Sequence, residues 1–120
     1  MAAGIAALEV YEEQKIFENA ARLAPYWEKK LHTLRDFPHV VDIRNIGMMG
    51  AVEVAPAPGA NPALRAKDIF DRCFQKGLHY RYSNCSLALC PPLVCEEHHL
   101  DKIVDTIGEA LQESALHFKV

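Results

Sequence analysis

The segment VVDIRNIGMMGAVEVAPAPGANP, residues 40–62, constrains the fold more than any other stretch of the chain. VVDIRNI and GAVEVA are rich in β-branched residues, and only the short connection Gly47 to Gly50 separates them, so they predict two adjoining antiparallel strands. APAPGANP carries three prolines and one glycine in eight residues, which marks an exposed loop rather than a long interdomain linker. Asn61 then stands where a helix cap belongs, with Pro62 at the first helical position. The helix that follows is expected to bury Ala66, Ile69, Phe70, Cys73 and Phe74 along one stripe, and Lys76-Gly77 closes it.

Helical patterns flank this unit. Residues 1–15 open with small and apolar side chains on nearly every side, which predicts a helix that needs cover all round. A second helix, from about Phe17, places Ile16, Ala20, Leu23, Trp27, Leu31 and Leu34 at steps of three and four; Pro25 inside it should bend it. Asp36-Phe37-Pro38 ends it. Past residue 77, LHYRY and SLALC read as short strands around Ser83-Asn84, where Asn accepts a positive φ, and Pro91-Pro92 stops the second. A last helix starts near Glu96, with Cys95 at its cap, and is expected to bury Leu100, Ile103, Val104, Ile107, Leu111 and Phe118. The order ααββαββα predicts an α/β (α+β two-layer) fold, a small, mainly antiparallel sheet covered on one face by helices. With 120 residues, half of them hydrophobic, one domain with its own core is expected.

The formal charge of −3, spread without a basic block, argues against a nucleic-acid surface. No apolar run approaches the ~20 residues of a membrane span, and the first residues carry acids where a targeting peptide carries bases, so a soluble, cytoplasmic chain is expected. Cys85, Cys90 and Cys95 recur at intervals of five, with His79, His98 and His99 nearby, which invites a zinc reading. Structural zinc sites bring their thiolates in close pairs, however, and reduced thiols suit Cys73 and the other three better. Adjacent His98 and His99 point to different helix faces and cannot chelate as an i, i+4 pair. No glycine-rich phosphate loop or nucleophile turn is present.

Arg81 is the residue out of place. It lies in LHYRYSNCSLALCPPL among aromatic and aliphatic neighbours, where a strand built only to pack would use another valine. Two readings stand: an ordinary pair with a surface acid, or a guanidinium kept for a ligand carboxylate. Arg44 shares the ambiguity and is assigned no ligand, while Tyr80 and Tyr82 read as packing or pocket-edge residues.

GIAALEVYEE, VVDIRNIGMMGAVEVAP and YRYSNCSLALCPPLVCEEHHLDKI resemble the C-terminal part of class III aminotransferases of the ω-amino acid:pyruvate and β-alanine:pyruvate kind. The likeness extends along practically the whole chain. It implies that residues 1–120 form the small C-terminal domain of a homodimeric pyridoxal-phosphate enzyme, with the helix of residues 1–15 packed on a missing large domain. It also implies that Arg81 binds the carboxylate of amino and keto acids and swings aside for partners lacking one. The Schiff-base lysine and most cofactor contacts belong to the large domain. Lys15, Lys29, Lys30, Lys67, Lys76, Lys102 and Lys119 sit on polar helix faces or at a terminus, where an amine stays protonated, so this chain alone is expected to hold no pyridoxal phosphate and to be inactive. Two departures stand out: Asn84-Cys85 replaces a common glycine-acid pair after the arginine, and Cys95 replaces the usual Ser or Thr. The alternative reading is a free-standing α/β binding or protein-interaction module without enzymatic activity.

Overall fold

In the computed structural model, which describes residues 1–118, the chain runs α1 (Ala2–Glu13), α2 (Ile16–His32) with a 3₁₀ turn (Thr33–Asp36), β1 (Val40–Ile46), β2 (Met49–Val54), α3 (Leu64–Gln75), β3 (Arg81–Ser83), β4 (Ser86–Leu89) and α4 (Glu97–His117). This is the order predicted from sequence. The strands pair antiparallel throughout, in the spatial order β1-β2-β4-β3.

Side-chain alternation gives the sheet two unlike faces. Val52, Val54, Leu87 and Leu89 point into the core, where Leu23, Trp27 and Leu31 of α2, Ile69 and Cys73 of α3, and Leu100, Val104, Ile107 and Leu111 of α4 meet them. The helices thus cover one face, as the α+β reading requires. On the other face the register lines up Arg44, Ala51, Ala88 and Arg81 in one row across the four strands, with Asp42, Glu53, Ser86 and Ser83 in the next.

Helix α2 packs tightly on the sheet at Gly50. A Cβ there would lie 2.6 Å from Leu31 Cδ2 and 3.3 Å from Trp27 Nε1, so any side chain would force Leu31 to move and crowd Trp27. A glycine is what lets the indole of Trp27, completely buried, lie against β2.

Three local expectations need correction. Asn61 does not cap α3: its Oδ1 accepts from the Ala63 N–H (3.1 Å) in a turn that precedes the helix, whose first residue is Leu64. The helix starts two residues later than expected. Phe74 is 60% exposed and Phe70 only half-buried, and the place of Phe74 on the buried stripe is taken by Arg65, 1% exposed. Residues 65, 69 and 73 are spaced by four, so the stripe itself pointed to Arg65. Its Nη1 donates to the carbonyls of Ala55 (2.7 Å) and Pro56 (2.8 Å), fastening the proline-rich loop to α3. Finally, Cys95 is not the cap of α4. Glu96 is, in a reciprocal box: its carboxylate accepts the His99 backbone N–H, and its own N–H donates to His99 Nδ1 at 2.9 Å. Cys95 is buried beneath, its carbonyl receiving Asn19 Nδ2 of α2 at 3.2 Å. Of the expected α4 stripe, Ile103 and Phe118 are half-buried rather than buried.

Helix α1 stands apart. None of its residues is buried, and Ile5 (54%) and Leu8 (62%) present large apolar side chains to solvent. No helix among the described residues is long and apolar enough to cross a membrane.

Candidate functional site

Arg81 opens β3 on the sheet face that the helices leave bare. Pairing with Ala88 puts no bulk beside it, and the cleft it lines with Leu78, Ala88, Cys90, Pro91 and Ile103 has a volume of about 340 Å³. That is the lower end of what small-ligand pockets offer. The apolar wall comes from the chain's turn out of β4 at Pro91-Pro92, which cannot extend the ladder.

What distinguishes Arg81 is the lack of a side-chain partner among the described residues. Among the six arginines, Arg22 donates to Asn19 Oδ1, Arg35 contacts His32 Nδ1, Arg65 holds its two carbonyls, and Arg72 binds Asp68 and Glu113. Arg44, three strands from Arg81 and so roughly 14 Å away, bridges Asp42 (2.5 Å) and Glu53 (2.8 Å), which hold its guanidinium further toward the charged form. Arg81 has no side-chain hydrogen bond or ion pair among the described residues.

The other candidates fall into place around it. Tyr80 faces the core at 8% exposure, against the ring of Phe70 and the thiol of Cys73, and burial pushes its phenol far up, so it is no base. Tyr82 packs half-buried on Phe70. His98 and His99 form the solvated first turn of α4, with His98 Nδ1 3.2 Å from Glu96 Oε2. Among the described residues no group of three or more His, Cys, Asp or Glu is arranged to hold a metal ion.

All four cysteines are free, and they differ sharply in setting. Cys73 and Cys95 are buried; burial is the main cause that pushes Cys73 up to about 11 and also raises Cys95. Cys90 is exposed, in the Arg81 cleft. Thiolate is the attacking species, so at about pH 8 iodoacetamide should label Cys90 first and leave Cys73 and Cys95 untouched until denaturant is added. Peptide mapping reads this directly, and early labelling of Cys73 would contradict the packing of α3.

Lys67 pairs with Asp71 and Lys76 with Glu109 and Glu113, contacts that raise both ammonium groups further, and Lys30 lies 3.3 Å from Asp101. Lys15, Lys29 and Lys102 are exposed. Lys119 lies outside the described residues.

Sequence reasoning did not find Ala88. The signal was present: a two-residue turn at Asn84-Cys85 fixes Ser83 opposite Ser86, and counting outward brings Ala88 opposite Arg81.

A helix-backed antiparallel sheet thus presents, beside an apolar cleft, a guanidinium with no side-chain partner among the described residues. The family model of the class III aminotransferases matches residues 1–111, and the chain belongs to that family. It is similar to the ω-aminotransferase of Caulobacter vibrioides (46% identity over 110 residues, 92% of this chain and 25% of that protein). It also resembles the β-alanine–pyruvate aminotransferase of Pseudomonas aeruginosa (36%, covering 92% and 24%). Among solved structures, the PMP-bound aminotransferase of Vibrio fluvialis superposes with a TM-score of 0.86 at 28% identity, covering 95% of this chain and 26% of that one. The chain therefore spans about a quarter of the length of the curated relatives it matches.

Proposed function

We propose that the chain is the small C-terminal domain of a pyridoxal-phosphate-dependent aminotransferase that moves an amino group from an ω-amino acid or amine to pyruvate or a similar keto acid. The single observation that carries this reading is the unpartnered Arg81 at its cleft. A planar guanidinium offers two parallel hydrogen bonds to a carboxylate, so Arg81 binds and orients the acid end of the substrate. The apolar wall of Leu78, Pro91 and Ile103 excludes water from that contact and strengthens it. Pyridoxal phosphate, when bound to the whole enzyme, supplies the electron sink for amino transfer. Its covalent anchor comes from the rest of the enzyme, because the lysines described here are paired or exposed, and the isolated chain is inactive.

Grafting residues 1–111 in place of the matching quarter of the Caulobacter enzyme tests this. The chimera should consume an ω-amino acid in a pyruvate-dependent way. A chimera that folds and retains the cofactor but transfers nothing would overturn the reading.

Helix α1 supports a missing large domain rather than a free-standing module. None of its residues is buried, and twelve residues with so little tertiary packing are marginal as a helix in water. In the isolated chain the α1 amides should exchange with solvent almost unprotected, whereas in the intact enzyme they should be among the slowly exchanging set. Equal protection in both would favour the free-standing module. The intact enzyme is expected to be a homodimer, which light scattering checks.

A further inference from the structure

We infer that Ala88 determines how far the Arg81 side chain can withdraw, and so whether the cleft accepts partners that lack a carboxylate. The inference rests on the reading of Arg81 as the carboxylate ligand and adds to it a residue that sets specificity. Ala88 sits directly across from Arg81 on β4, and it lines two clefts at once. One is the Arg81 cleft. The other, of about 330 Å³, lies on the open face toward the β1–β2 turn and is lined by Arg44, Ile46, Met49 and Ala51.

A guanidinium left facing an apolar substrate group is desolvated without compensation, so the same cleft serves a carboxylate-free partner only if the charge can leave. The register provides the route. From β3, an extended arginine side chain outreaches the ~4.8 Å to the next strand and can lie over Ala88 toward Ala51, its stem on methyl groups and its head in water. Nothing on that track would trap it, because the two acids of this face, Asp42 and Glu53, are both engaged by Arg44. A larger residue at 88 would fill the resting place, and an acid there would hold the cation in it.

The test compares pyruvate with propanal, which lacks the carboxylate, as amino acceptors of the full-length enzyme. Ala88→Leu should raise the ratio of kcat/KM for pyruvate over propanal roughly tenfold, the scale on which small changes in a pocket discriminate substrates. Ala88→Glu should lower that ratio by a similar factor, by an opposite-charge pair across the strands. Both changes fall at an exposed strand position, and Ala88→Val should shift the ratio as Leu does but less. Ratios that stay at the parent value, or move the same way for Leu and Glu, overturn the inference. Arg81→Gln separates the two levels: if it leaves the ratio unchanged, the assignment of Arg81 itself fails, whereas a lowered ratio with inert Ala88 variants removes only the withdrawal track.

Discussion

Replacing Arg81 by Ala in the intact enzyme should lower kcat/KM for pyruvate roughly a hundredfold while leaving an amine or aldehyde without a carboxylate within a few-fold of the parent. Each hydrogen bond to a charged group is worth about 1.5–3 kcal/mol, and 1.4 kcal/mol is tenfold, so losing a two-pronged contact gives that order of effect. Because Arg81 makes no other side-chain bond among the described residues, its removal disturbs nothing else, and the thermal midpoint should not move. That separates it from the remaining arginines. Truncating Arg65 would free two carbonyls and the loop they belong to, and truncating Arg72 would loosen α3 from Glu113 of α4. Arg81→Lys keeps the charge but loses the planar fork, and should fall between the two. Equal losses for substrates with and without a carboxylate would show that Arg81 supports the fold or the chemistry generally, and would end the assignment.

Trp27→Ala should have the largest effect on stability, about 3–5 kcal/mol, against a total of about 5–15 kcal/mol for a domain of ordinary stability. The indole is completely buried between α2 and the sheet, against Gly50, where the strand has no side chain to move into the vacated space. The cavity therefore stays open. Urea unfolding followed by far-ultraviolet circular dichroism measures the loss, which fluorescence cannot, since Trp27 is the only tryptophan. A midpoint shift equivalent to less than about 1 kcal/mol would mean that α2 settles onto the sheet and that the Gly50 contact is not the constraint described here.

The sequence made most of the fold legible because its signals were local. β-Branched runs marked β1 and β2, steps of three and four marked α2 and α4, and Asn84, at φ 53°, turned β3 into β4 as an asparagine can. Misreadings gathered at helix ends. Asn61 and Cys95 look like caps by residue type and neighbours, yet a cap is defined by which N–H its side chain meets, and Glu96 meets the one that matters in α4. Phe74 looked buried by hydrophobicity, while Arg65 took the interior because two loop carbonyls were there to receive it.

By itself, then, the sequence determined the element order, the class of fold and the residue, Arg81, whose charge conflicts with its surroundings. It could not say whether that charge was paired, since the nearest acids in the chain are no guide to the nearest acids in space. Only the folded sheet decided this: the order β1-β2-β4-β3 places Asp42 and Glu53 with Arg44 and sets Ala51 and Ala88 between the two guanidinium groups. The physical reason is that helix and strand patterns follow from interactions a few residues apart, whereas an ion pair or a cleft depends on strand register, which brings together residues from distant parts of the chain.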